Sequence, residues 1–235
     1  MSSKSFLLSI GVALVAASGA SAATFDFAKV ADDYWALAAG PDGKRAEGTF
    51  AQVAASAAGA GLSDGGVTVV GATGSHLSKS AHAFFDYDSG SGPAGLGVCS
   101  TGILANGVSQ CSSGDWGAEQ VTSDDNITES ETLGVTFSTD VSLVDMSFRD
   151  ALHNLASGTL IINGAEYLIE NGGLSSASLG MIGSGRTFTF AYGGASPTQA
   201  YLTASTVAPV PLPAGALLLL GALGGLFGLR RLRAA

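Results

Sequence analysis

Apolar and polar positions alternate along this chain in short runs, each broken by clusters of Gly, Asn, Asp and Ser. In Thr187-Phe188-Thr189-Phe190-Ala191-Tyr192 the aromatics fall on one face and the small residues on the other. That period of two is the mark of a half-buried strand. Leu133-Gly134-Val135-Thr136-Phe137 repeats it. The pattern predicts strands over 23–27, 66–72, 81–87, 133–138, 141–148, 158–162, 166–169, 187–192 and 200–207. Asn163-Gly164, set between Ile161-Ile162 and Tyr167-Leu168, predicts a two-residue hairpin, because a type I′ turn needs positive φ at both central residues. Asn171-Gly172-Gly173 and Gly183-Ser184-Gly185 read as further turns.

One stretch departs from this period. Over 27–39, Val30, Tyr34 and Leu37 share a helical face opposite Asp32 and Asp33, and Gly40-Pro41 closes the segment. Residues 52–61 are rich in Ala, Gly and Ser and read as a loop or a frayed helix. Residues 88–130 are rich in Gly, Ser and Asp and read as an extended surface loop region. There is no internal repeat, which argues against a solenoid. The expectation is an all-β domain over 23–206, a two-sheet, jelly-roll-like β-sandwich with one short N-terminal helix.

The two ends follow other rules. Lys4 precedes an apolar run over 6–17, and Ser18-Gly19-Ala20-Ser21-Ala22-Ala23 supplies small residues of the A-x-A type. Residues 1–22 therefore read as a secretory signal peptide cleaved after Ala22. At the other end, residues 207–235 hold a Pro-rich entry, an apolar run and the cluster Arg230-Arg231-Leu232-Arg233. Segment 213–229 has no charged residue and would span roughly 25 Å as a helix, enough for a marginal transmembrane helix with snorkelling arginines. The basic cluster belongs on the cytoplasmic side, so both ends place the body outside.

Val210-Pro211-Leu212-Pro213-Ala214, followed by a Leu/Gly-rich helix and terminal arginines, resembles the VPLPA variant of the PEP-CTERM sorting domain. The resemblance covers the tail alone. It implies a Gram-negative cell-surface or secreted protein whose tail is recognised and cleaved by an exosortase-like membrane enzyme. A second, looser resemblance to the bodies of such exported proteins runs through Gly95-Leu96-Gly97-Val98-Cys99, Asp125-Asn126, Glu131 and Asp150, and ends at His153-Asn154. It implies a domain type without an activity.

Charge then narrows the partners. All 19 acidic residues lie between the terminal segments, against six basic ones there, a net of −13. Such a body is not built for nucleic acid. Cys99 and Cys111 are the only cysteines, and in an exported domain an even count reads as a disulfide.

Candidate chemistry is sparse. Asp125, Asn126, Glu131 and Asp150 supply hard oxygen donors suited to Ca²⁺, with Asp86 or Asp88 arriving from another loop. A solvated acidic turn leading into the strand at Leu133 is the plainer reading of 124–131. Trp116, in a polar loop, is the aromatic best placed to stack on a sugar, ahead of Tyr34, Trp35 and Tyr87. His76, His82 and His153 belong to no zinc-hydrolase pattern, and there is no nucleophile elbow or phosphate loop.

The reading is therefore a non-enzymatic surface or matrix protein without a required cofactor. Its partners are the secretory translocon, signal peptidase, an exosortase-like enzyme and, before processing, the membrane. The alternative is an extracellular polysaccharide-binding module, with or without Ca²⁺; a glycoside hydrolase ranks third.

Overall fold

The computed structural model describes residues 21–37, 48–88, 92–99 and 126–210. The chain begins with β1 (Ala23–Asp26), which alternates buried and exposed positions, and passes directly into α1 (Phe27–Leu37). Asp26 starts that helix by accepting the N–H of Lys29 on its carboxylate at 2.8 Å, the usual N-cap contact. The buried face of α1 is Phe27, Val30, Ala31 and Trp35, while Leu37 is 56% exposed. Of the expected face, Val30 is buried and Tyr34 packs against the core, and only Leu37 falls outside it. Trp35, beside that face, stacks on Tyr87 with centroids 4.5 Å apart. On the outer face Lys29 pairs with Asp33 one turn on, and that hydrogen bond holds the Lys29 amine above the ordinary lysine range.

Next come β2 (Gly48–Thr49), α2 (Phe50–Ala54), a 3₁₀ segment (Ala57–Leu62), β3 (Ser63–Asp64), β4 (Val67–His76) and β5 (Lys79–Asp88). Thr49 and Gln52 form a reciprocal capping box, so the Ala-rich segment is helical at both of its pieces. Strand β6 (Gly92–Cys99) follows, inside the region expected to be loop. Beyond it lie β7 (Glu131–Arg149), β8 (Gly158–Ile162), β9 (Ala165–Glu170), β10 (Gly173–Leu174), α3 (Ser176–Ile182), β11 (Ser184–Tyr192) and β12 (Tyr201–Pro209). Asn163 and Gly164 both have positive φ, 50° and 82°, and join β8 to β9 as a two-residue turn.

The domain is all-β with three short helices among the described residues. Its strands are hydrogen-bonded antiparallel into one continuous sheet centred on β7. The two strands expected over 133–138 and 141–148 are a single strand with a corner. On one edge β7 pairs with β4 through Phe137 and with β12 from Val141 onward. On the other edge the register to β11 slips between Gly185 and Thr187, a bulge opposite the same corner. The path β4–β5–β6–β12 returns to β7, and so does β11–β8–β9–β10. The sheet thus closes on β7 twice.

Inside lies a contiguous apolar core. Phe137 meets Phe25 at 5.6 Å and Phe188 at 6.0 Å between centroids, linking β1, β7 and β11. Phe148 packs edge-on to Phe190 at 6.2 Å. Each such ring is almost fully buried and contributes about 2–3 kcal/mol by burial. Among the described residues no helix is long and apolar enough to cross a membrane. The apolar tail segment and residues 1–20 of the expected signal peptide lie outside the described residues.

Candidate functional site

The clearest polar arrangement forms where the turn after β7 meets the far end of the β5–β6 hairpin. Asp150 builds that turn. Its Oδ1 accepts the N–H groups of Leu152 at 2.8 Å and Asn154 at 2.9 Å, and its own N–H donates to the Asn154 carbonyl. This is local Asx-type chemistry, in which a short carboxylate replaces a backbone partner. The tight turn leaves His153 at φ 62°, a left-handed conformation that non-glycine residues seldom hold.

Held there, the His153 ring points into the fold. Nε2 stands 2.8 Å from Asp86 Oδ2, and the two side chains are 8% and 6% exposed. Nδ1 stands 2.8 Å from the Gly92 carbonyl oxygen. A carbonyl oxygen only accepts, so Nδ1 carries a hydrogen. The other nitrogen then shares a hydrogen with the Asp86 carboxylate. Tyr201 packs edge-on to the imidazole with centroids 5.5 Å apart. Arg149 completes the contact by donating Nη1–H to the Pro93 carbonyl at 2.6 Å. The end of β7 and the turn after it are thereby tied to the β5–β6 hairpin through three side chains, those of Arg149, His153 and Asp86, and two carbonyls.

That geometry decides the chemistry. A histidine that acts as general base needs one nitrogen facing a reactant. Here both ring nitrogens are engaged by the protein and the ring is buried. The His153–Asp86 pair is a clasp.

A second cluster surrounds the start of β7. Glu131 is 1% exposed, and its Oε2 accepts the N–H of Thr128 at 2.9 Å while its own N–H donates to the Thr128 carbonyl. His76 Nδ1 is 3.9 Å from Glu131 Oε1, too long for a hydrogen bond. Asn126 is buried beside this turn in sequence, and Gln199 donates to Thr128 Oγ1 at 3.1 Å. The acidic stretch expected to be solvated therefore sends one carboxylate inward to close a turn.

These placements separate the expected metal ligands. Asp150 closes the turn after β7, and Glu131 closes the one before it. Asp125 lies outside the described residues. Among the described residues no group of three His, Cys, Asp or Glu side chains is arranged to hold a metal ion. Trp116, Cys111 and Pro211, Leu212, Pro213 and Ala214 of the sorting motif also lie outside the described residues. Cys99 is buried at the end of β6, opposite His82, and no described cysteine is a free thiol. Trp35 and Tyr87 stack on each other, and Tyr34 packs against the core.

The sequence singled out His153, Asp150 and Asp86, but not as partners. The contributions of Gly92, Pro93 and Tyr201 are a carbonyl, a carbonyl and a ring edge, and none leaves a motif. No protein-family model, curated protein or solved structure matches the chain. What the coordinates define is a class of architecture: an all-β domain closed on one long, bent strand.

Proposed function

We propose that this chain is an exported cell-surface or extracellular-matrix protein without catalytic activity, processed at both ends. The signal peptide is removed after Ala22. The tail at Val210-Pro211-Leu212-Pro213-Ala214 is cleaved by an exosortase-like membrane enzyme, the transmembrane helix serving as a temporary anchor. The folded-over sheet is a jelly-roll-like sandwich whose two layers share β7, and Cys99 is bridged to Cys111.

One observation carries this reading: among the described residues the first strand begins, and the last strand ends, beside the expected processing sites. Strand β1 starts at Ala23, which is fully buried, while Ala22 is exposed. Strand β12 ends at Pro209, one residue before the motif. A domain meant to survive two cleavages needs its core complete between them.

The test is intact-mass analysis of the native protein, with and without an active sorting enzyme. The expected mature species begins at Ala23 and lacks residues 215–235. If full-length, membrane-held protein is equally abundant with a catalytically dead sorting enzyme, the proposal fails.

A further inference from the structure

The two ends of the domain are neighbours in space. Strand β1 runs antiparallel to β12 with Ala23 opposite Val207, and Thr24 Oγ1 lies 3.1 Å from Thr206 Oγ1. Strand β12 in turn ends beside the corner of β7, with Pro209 opposite Val141. Val210 is still part of the fold, donating its N–H to the Asp140 carbonyl at 2.9 Å. The start of β4 and of β11 reach the same corner: Thr68 N–H donates to Ser138 Oγ at 3.0 Å, and Arg186 donates to the Ser138 carbonyl. Asp64, the last residue of β3, accepts the Thr24 N–H at 2.7 Å. One pole of the molecule therefore gathers Ala23, Asp64, Ser138–Asp140, Ser184–Arg186 and Val210.

Short tethers leave from this pole. Pro213, where the apolar tail begins, is three residues on from Val210, a reach of about 10 Å at full extension. On the other side, the apolar part of the signal ends at Ala17, within about 20 Å of Ala23 at full extension. A domain of this size is wider than either reach.

We infer that the pole at the β7 corner is the face this domain lays against the phospholipid bilayer surface while its tail is uncleaved. The inference rests on the proposed tail anchor. Charge does not drive the contact: Asp64 and Asp140 outnumber Arg186 at this pole. The tether imposes it, so raising salt leaves it in place, unlike a basic patch on anionic lipid. The opposite end of the same sheet, at the β4–β5 hairpin, stands away. Ser80 pairs with Ser75, which pairs with Thr132, six residues along β7 from Ser138 and roughly 20 Å away.

The test uses the full chain reconstituted in phosphatidylcholine–phosphatidylglycerol vesicles carrying a headgroup nitroxide. A fluorophore is attached to S184C, T139C or S80C under non-reducing conditions. Ser184 and Ser80 are exposed, and Thr139 gives a second report from the pole should the first substitution disturb folding. The expected result is loss of emission at Ser184 and Thr139, unchanged by salt, with Ser80 unquenched. If the chain floats with the vesicles but Ser80 is quenched as much as the pole, the inference is overturned and the anchor reading survives. If the chain does not float with vesicles at all, the anchor reading falls and the inference with it.

Discussion

His153, in the turn after β7, and Asp86, in the β5–β6 hairpin, meet at 2.8 Å inside the fold, with the imidazole's second nitrogen on the Gly92 carbonyl. The contact bridges the turn after β7 to the β5–β6 hairpin, whose pairing with β12 closes the first circuit of the sheet at Leu202 and Leu96. Strand pairing there is thin, so the clasp and the Arg149–Pro93 contact carry much of the closure.

Removing one partner of this pair leaves a polar group buried and alone. Asp86→Ala or His153→Leu is expected to lower stability by about 3 kcal/mol, read from urea unfolding. Asp86→Asn keeps an acceptor for the ring and should cost less than Asp86→Ala. In the double variant neither group is stranded, so the combined loss should fall short of the sum. Additive losses would show that the two side chains do not interact.

The backbone at His153 gives a separable effect. Its φ of 62° is tolerated by Asn far better than by Ala. His153→Asn and His153→Ala both lose the clasp, so their difference isolates the turn. His153→Asn is expected to be the more stable by about 1 kcal/mol in the same assay. Equal stabilities would mean that the turn relaxes.

Legibility from sequence followed the range of the interactions. The β8–β9 hairpin is local: alternation sets its faces and Asn163-Gly164 sets its turn, so 158–169 could be read directly. Strand β6 could not, because Gly92, Gly95 and Gly97 look like loop until β5 and β12 are in place on either side. Strand β7 reads as two strands because Ser138, Thr139 and Asp140 interrupt its apolar pattern, and only neighbouring strands show the corner. Helix α3 has seven residues and a single serine cap, too short for a period to emerge. The clasp was hidden for another reason. Its residues are separated by β6 and β7, and two of its three acceptors are backbone carbonyls.

Two glycines test where the sheet is tightest. A Cβ on Gly95, at φ 129°, would stand 2.4 Å from the Leu202 carbonyl oxygen. Gly95→Ala must therefore part β6 from β12 or strain the backbone, and a loss of about 2 kcal/mol or more is expected. Gly180 sits exposed in α3 with nothing within 4 Å of a Cβ. Gly180→Ala should raise stability by about 0.5–1 kcal/mol through helix propensity. Thermal unfolding of the two variants side by side checks both signs. A neutral Gly95→Ala would mean that the β6–β12 approach is looser than drawn.

Cys99 provides the last prediction. It ends β6, is 3% exposed and faces away from bulk solvent, so a thiol there would react slowly with small alkylating reagents if free. With the proposed Cys111 bridge, the loop closed is about a dozen residues long, and the bridge should contribute about 3 kcal/mol. The oxidised mature protein is expected to show no alkylation even after unfolding in urea, and two alkylated thiols after reduction and unfolding. Reduction, or Cys99→Ser with Cys111→Ser, should lower the unfolding midpoint while leaving β8–β9 intact. Alkylation of unreduced, urea-unfolded protein would show that the two cysteines are not bridged.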